Sequence, residues 1–373
     1  MKTYGFVRRW MGIKLPEVHY KDKTSFVKKF FFHPIKRRLA RCYLIFLQKF
    51  TNLKVIAITG SAGKTTTKEM LSSVLKQDGL TVYTKENIDP VYNIPTTILR
   101  TLPWTKYLVL EMGVEYPDEM DFYLWLAKPD VGIITNIFPT HTAFLNDVEG
   151  VFNEKKKLIF GLSEKGVAVL NSGDERLKKL KGKLRTKIVW FSADIDPFVQ
   201  NHNAAYAAAE VLKISKEKIE KGLSEYKNPP HRLALVNLKS GAVLLDDSYN
   251  SNPWAAVSTL NYFNSLVKKR NDVRGKKIAV LGDMLELGDF DEEGHRLLGR
   301  EVAKSGFKTV IGVGKSAGFM IDEINRNSKT TTFLVPDVSS AILLIKKMLN
   351  KGVFVLVKGS RSIGLDKLVE ALS

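Results

Sequence analysis

The sequence predicts an α/β protein: a phosphate-loop domain on a mostly parallel sheet, a second α/β domain after it, and a short basic helical segment in front. Three observations carry that expectation. From Lys54 onward, short continuous apolar runs alternate with longer amphipathic segments, as strands covered by helices on both faces must. One such run, residues 55–58, leads through a glycine-bearing turn into a helix-like segment. The alternation stops at Pro229-Pro230, which cannot continue a helix, and then restarts.

In chain order, residues 30–50 read as a basic helix interrupted near Pro34. Ile35, Leu39, Cys42, Tyr43, Phe46 and Phe50 recur there at helical spacing, and packing of that stripe against the first domain is favoured over contact with a membrane. Strands follow at 55–58, 107–111, 131–135, 166–171 and 188–191, with a helix at 65–77. An alanine-rich helix at 203–212 and another near 216–226 lead into the proline pair. Beyond it, 242–246, 278–281, 309–313, 331–335 and 353–357 are the strands of the second domain. The expected segments are therefore a helical extension at 1–52, a central domain at 53–232 and a C-terminal domain at 233–373.

A chain of 373 residues has room for such an arrangement, and 44% hydrophobic with 26% charged residues is the balance of a folded globular protein. The single cysteine, Cys42, can form no intrachain disulfide and no cysteine-based zinc site, which fits a reducing cytoplasm. No signal peptide or bilayer-spanning run is expected, the longest apolar run near the start being only residues 42–47. The net charge of +19 is uneven. Residues 1–53 hold 13 Lys/Arg against Glu17 and Asp22, so more than half of the excess lies in a seventh of the chain. Such a head suits anionic lipid, nucleic acid or an anionic substrate, or is a solvated helix that aids solubility.

The chemistry begins at Thr59-Gly60-Ser61-Ala62-Gly63-Lys64-Thr65-Thr66. A strand that turns on glycines into a helix offers backbone N–H groups and the positive helix end to an anion. In such a loop Lys64 reaches the terminal phosphates and the Thr65 hydroxyl ligates magnesium. The general pattern asks for a glycine where this chain has Ile58, so the match is to a shorter variant.

That variant and five later phrases resemble the Mur ligase family, cytoplasmic amide-bond ligases that extend the peptide of cell-wall precursors. The phrases are LEMG at 110–113, ITNIFPTH at 134–141, DDSYNSNP at 246–253, VLGDMLELG at 280–288 and VLVKGSR at 355–361, and the likeness spans about residues 53–373. It is nearest to the members that add D-alanyl-D-alanine to a UDP-N-acetylmuramoyl-tripeptide. The resemblance implies a Rossmann-like C-terminal domain, ATP, two magnesium ions and small-molecule substrates, with a monomer expected and no nucleic acid.

Residue by residue, the likeness gives Glu111 and His141 to the two magnesium ions. It makes Lys155 a lysine carried as a carbamate, although the acidic residue expected two places on is Lys157 here. Asn203 resembles an adenine contact, and its type equally suits a helix N-cap. Arg232 falls near the terminal phosphate and Asp247 on the ribose hydroxyls, with Tyr249 and Asn250 closing the nucleotide site. Lys358, Ser360 and Arg361 match a loop facing the substrates, Asp283, Glu286 and His295 match positions for the incoming amine, and Asn87 belongs to the substrate loop at 86–95. In that loop Pro90 and Asn93 replace the residues expected.

The reaction implied is conversion of a carboxylate to an acyl phosphate by ATP, then attack by an amine, with domain closure completing the site. Residues 1–52 are too short and too basic for the domain that grips uridine nucleotide in the family. The expectation is that this head binds the diphosphate otherwise, meets an anionic membrane, or serves another carrier such as a lipid-linked precursor. A ligase for another envelope polymer or poly-amino acid, and a phosphate-loop binding module without catalysis, are the competing readings.

Overall fold

The computed structural model describes residues 10, 15–20, 27–85, 88–194, 196–269 and 276–373. The chain divides into two compact units, the first running to Tyr226 and the second from Lys227, with residues 196 and 197 grouped with the second.

The first unit holds a six-stranded sheet of β1 (Lys54–Thr59), β2 (Thr81–Tyr83), β3 (Tyr107–Glu111), β4 (Val131–Ile134), β5 (Val167–Asn171) and β6 (Lys187–Phe191). Their order is β2-β3-β1-β4-β5-β6 and every pairing is parallel. The helices are α1 (His33–Phe50), α2 (Lys64–Lys76), α3 (Pro90–Leu99), α4 (Glu119–Leu126), α5 (Val148–Phe160), α6 (Pro197–Val211) and α7 (Lys216–Ser224), with short helical turns at Thr142–Leu145 and Glu175–Lys178. Alternate residues of β1 feed two cores. Val55 and Ala57 join α1, α3 and α4 on one face, while Ile56 and Ile58 join α2 and α6 on the other. Both faces are covered, so the strands read as continuous apolar runs. β1 lies between β3 and β4, and the order reverses there, which opens a crevice at the carboxyl end of β1.

Four local expectations change. The strand β2, only three residues long, gives too short a pattern to see in the sequence. Residues 90–95 of the expected substrate loop belong to the helix α3, started by Asp89, whose carboxylate accepts from Val91 N at 2.8 Å, and by Pro90 in its first turn. Helix α6 begins at Pro197, so Asn203 sits within it and is not its N-cap. Pro34 likewise lies in the first turn of α1, after a π-helical turn at Lys28–Phe32, and causes no break.

The largest revision concerns α1. Its buried residues are Pro34, Arg37, Ala40, Leu44 and Leu47, whereas Ile35, Leu39, Cys42, Phe46 and Phe50 are exposed and Tyr43 is half-buried. The helix has two apolar stripes, and spacing alone does not say which one meets the core. Arg37 fastens the buried side, its guanidinium 5.3 Å from the Phe122 ring centroid and 5.8 Å from that of Tyr92.

The second unit holds β7 (Ala234–Asn237), β8 (Val243–Asp247), β9 (Lys276–Gly282), β10 (Thr309–Val313), β11 (Thr331–Val335) and β12 (Val353–Lys358), ordered β11-β10-β9-β12-β8-β7. All pairs are parallel except β7 with β8, and β7 is a second strand missed in the sequence. Helices α8 (Pro253–Lys269), α9 (Asp291–Lys304) and α10 (Ala317–Asn327) pack on one face, and α11 (Val338–Lys346) and α12 (Asp366–Leu372) on the other.

Candidate active site

The turn after β1 is shaped by two glycines, at each of which a side chain would be strained and crowded. Gly60 has φ +146° and a Cβ there would lie 1.9 Å from Thr135 Oγ1; Gly63 has φ +79° and a Cβ there would lie 2.1 Å from Asn201 Oδ1. The loop is braced from the end of β4: Ser61 N donates to Asn136 O at 3.0 Å, Ala62 N to Asn136 Oδ1 at 2.8 Å, and Thr135 Oγ1 to Ala62 O at 2.6 Å. Ser61 Oγ donates to Phe138 O at 2.8 Å. With Ala62 held in this way, the first N–H groups of α2, beginning at Lys64, have no acceptor within the helix, which is the arrangement that suits an anion.

Lys64 Nζ donates to Gly60 O at 2.9 Å, folding the ammonium back over the turn. Thr65 Oγ1 donates to Glu111 Oε1 at 2.9 Å, so the hydroxyl and the strand-end carboxylate converge as expected of two hard oxygen donors for magnesium. Thr66 is buried beneath them. Glu111 is set by two residues that the sequence reading passed over. Lys68 is fully buried, lies 3.5 Å from Glu111 Oε2 and donates to Thr84 O at 2.8 Å, while Thr84 Oγ1 accepts from Glu111 N at 2.9 Å. Lys68 follows Lys64 by one helical turn, a spacing that could have flagged it.

His141 starts the short turn Thr142–Leu145 with φ +55°, a left-handed backbone uncommon for a non-glycine residue. A ring nitrogen of His141 and a carboxylate oxygen of Glu115 lie within 4.8 Å. Glu115 also escaped the sequence reading, though it stands only four residues after Glu111.

Lys155 resolves the ambiguity of three consecutive lysines, being buried while Lys156 and Lys157 are only half-buried. Burial, aided by the Lys64 charge and opposed by Glu119, Glu154 and Glu115, pushes its pKa down to about 7. A neutral amine is what reaction with carbon dioxide requires. Lys157, standing where the resemblance expects an acid, is satisfied locally by Asp121 at 2.8 Å and Glu154 at 2.7 Å.

Asn203 donates to Ser192 O at 3.1 Å. Nearer the phosphate turn is Asn201, buried and 3.4 Å from Thr67 Oγ1, a fourth residue missed, because α6 starts earlier than expected. Asn87 lies outside the described residues.

In the second unit, the Arg232 guanidinium stacks 3.8 Å from the Tyr249 ring centroid, and its buried Nε has no hydrogen-bond partner among the described residues. Its neighbours His231 and Leu233 both have positive φ, 63° and 50°, so this bend is held in a sparsely populated conformation. A buried orphan donor on a cation suits an anion. Asp247 accepts from Thr259 Oγ1 at 2.7 Å and is bonded by Lys358, which is buried and also donates to Asn250 O at 3.0 Å. Lys358 thus ties β12 to the loop after β8.

Other residues expected at the substrates have structural occupations. Asp283 takes Ala317 N at 2.7 Å and Lys315 N at 3.0 Å, fixing the start of α10. His295 is fully buried, accepting from Met284 N at 3.0 Å and lying 2.8 Å from Asp291 O. Ser360 Oγ accepts from Leu285 N at 2.8 Å. Glu286, at φ +64°, and Arg361, 2.8 Å from Asp366, are exposed.

Residues 58–227 match the Mur ligase middle domain and residues 231–361 the Mur ligase glutamate ligase domain. The UDP-N-acetylmuramoyl-tripeptide--D-alanyl-D-alanine ligase of Buchnera aphidicola subsp. Baizongia pistaciae is 32% identical over 359 residues, covering 86% of this chain and 76% of the relative. The Bacillus subtilis protein of the same name is 31% identical over 368 residues, with 90% and 78% covered. Among solved structures, MurF from Acinetobacter baumannii superposes with a TM-score of 0.79 at 26% identity, covering 91% of this chain and 80% of that one. The fold is shared with a MurF ligase from Thermotoga maritima in complex with ADP, TM-score 0.79, 24% identity, with 94% and 87% covered.

Proposed function

The chain belongs to the Mur ligase family, and we propose that it joins D-alanyl-D-alanine to a UDP-N-acetylmuramoyl-tripeptide-type precursor in the cytoplasm, consuming ATP. The observation that carries the chemistry is the convergence of Lys64, Thr65 and Glu111 at a glycine-shaped anion site, in a chain 32% identical to a ligase of that name.

Amide formation at neutral pH needs a better leaving group than oxide. The acceptor carboxylate attacks the terminal phosphorus of ATP and ADP leaves, giving an acyl phosphate. The dipeptide amine, having lost its proton, then attacks the acyl carbon and phosphate departs. Lys64 follows the transferring phosphoryl group as a mobile point charge, released from Gly60 O. Arg232 offers its unpartnered Nε to phosphate oxygen, while Tyr249 stacks to keep the guanidinium in place. We assign Asp247 to the ribose hydroxyls, Asn203 to the adenine and Asn250 to closing the nucleotide site.

Magnesium, when bound, neutralises phosphate charge and orients the attacking and leaving oxygens. The residues fit it: Thr65 and Glu111 would hold one ion, and His141, Glu115 and a carbamylated Lys155 a second. Lys68 and Thr84 keep Glu111 in register as positioning residues. For the substrates we keep Glu286 and Arg361 as exposed candidates and give Asp283, Lys358 and Ser360 the work of holding the loops that carry them. Asn87 stays in the proposal as a substrate contact.

Phosphate release from ATP, measured with a UDP-linked muropeptide and with or without D-alanyl-D-alanine, tests the proposal. Release that requires both substrates supports it. Release indifferent to every amine contradicts it.

A further inference from the structure

The exposed stripe of α1 has no task in the ligase chemistry. Ile35, Leu39, Cys42, Phe46 and Phe50 recur every three or four residues and so form one line along a helix of roughly 27 Å. They are well outside the core, Leu39 being 58% and Phe50 65% exposed, and Phe31 and Phe32 extend the line past the helix start. A second apolar feature adjoins it. Tyr43 Oη donates to Thr101 O at 2.7 Å, and just beyond Thr101 come exposed Leu102 and Trp104, the latter 71% exposed.

The stripe is held outward. Lys36 Nζ bonds Thr96 Oγ1 at 2.7 Å near the start of the helix and Gln48 Nε2 bonds Lys128 O at 2.9 Å near its end. Arg37 and Leu44 fill the core behind it. The apolar line is therefore preformed rather than a frayed end awaiting a partner.

Charge identifies that partner. No carboxylate occurs between Asp22 and Glu69, Lys28 and Lys49 are exposed at the two ends of the stripe, and exposed Arg100 stands just before Leu102 and Trp104, whereas Lys106 on the far side is paired with Asp78. Apolar and aromatic side chains bordered by cations match a surface with anionic groups above hydrocarbon, where tryptophan favours the boundary. A second copy of the chain would bring like charges together, and nucleic acid would leave the Ile, Leu and Phe side chains without an apolar partner. No described helix is long and apolar enough to cross a bilayer, so the contact lies along the surface.

We propose that the exposed stripe of α1, with Leu102 and Trp104, docks this protein on an anionic phospholipid bilayer. The inference stands apart from the ligase assignment, because its readout is binding and turnover is measured without vesicles.

Cys42, the only cysteine, lies within the stripe and provides the probe. Label it with a polarity-sensitive fluorophore and add vesicles of phosphatidylcholine, with or without phosphatidylglycerol. The expected result is a blue shift and co-sedimentation with the anionic vesicles only, weakening as salt is raised. The triple variant Leu39→Ser, Phe46→Ser, Phe50→Ser alters only exposed positions. Its affinity for anionic vesicles should fall about ten-fold or more, with an unchanged melting temperature and unchanged turnover in solution. Three results overturn the proposal: no wild-type binding to anionic vesicles, equal binding by the triple variant, or a vesicle-free dimer that the triple variant abolishes.

Discussion

The turn after β1 and the loops after β8, β9 and β12 occupy equivalent places, each at the carboxyl end of parallel strands, yet they use their motif residues differently. In the first unit the side chains of the turn and of LEMG converge, Thr65 meeting Glu111 and Lys64 folding over the turn, while the bracing falls to Thr135 and Asn136 of the phrase at 134–141 and to Lys68, which lies outside the phrases. In the second unit much of the motif is the brace. Asp283 fixes the start of α10, Ser360 holds the backbone of Leu285, and Lys358 ties two strand ends through Asp247. A family phrase can therefore mark either a reacting group or the scaffold that positions one.

The comparison can be broken most forcefully at Lys64. Lys64→Ala should lower turnover by roughly a thousand-fold or more while the circular dichroism spectrum is unchanged. A variant that turns over normally would make the first turn scaffold as well. Gly63→Ala strikes the brace of the same turn, because the new Cβ meets Asn201 Oδ1 and φ is +79°. Thermal unfolding should show a loss of about 2 kcal/mol, and calorimetry a weaker ATP affinity.

Asp283→Ala sharpens the contrast from the other side. It leaves the N–H groups of Lys315 and Ala317 without their acceptor, so stability should fall by about 2 kcal/mol. The KM for the dipeptide should move little in whatever fraction stays folded. A raised KM at unchanged melting temperature would instead return Asp283 to substrate recognition.

A smaller effect belongs to Asp78, at the amino-terminal end of β3 and so at the opposite end of the first sheet from the turn after β1. Bonds from Lys106, Lys218 at 2.7 Å and Tyr107 at 2.6 Å hold its carboxyl well below the usual value of 3.8. A depressed folded value means that the stabilisation is complete above about pH 4 and is lost as pH falls toward the folded pKa. Asp78→Asn should therefore cost about 1 kcal/mol at neutral pH, with the difference from wild type narrowing in acid, as urea titrations at several pH values would show.

Most strands were readable because a strand covered on both faces must be apolar throughout, whatever its neighbours. The phosphate turn was readable for a similar reason: at positions 60 and 63 a side chain would be strained and crowded. What could not be read depends on contacts distant in sequence. Arg37 is buried because Tyr92 and Phe122 receive it, and nothing local announces that; Lys68 is buried because Thr84 and Glu111 receive it, and its spacing of one helical turn from Lys64 is the local hint. The exposed stripe of α1 was assigned inward for the same reason, since periodicity shows that a face is apolar without saying what covers it.

Activation of a carboxylate by ATP is recorded in the fate of that carboxylate's oxygen. With the acceptor muropeptide labelled in its terminal carboxylate with heavy oxygen, and ATP and D-alanyl-D-alanine supplied, mass spectrometry of the released phosphate reads the outcome. An acyl phosphate predicts one labelled oxygen in each phosphate formed with product. Amide accumulating alongside unlabelled phosphate would contradict the account.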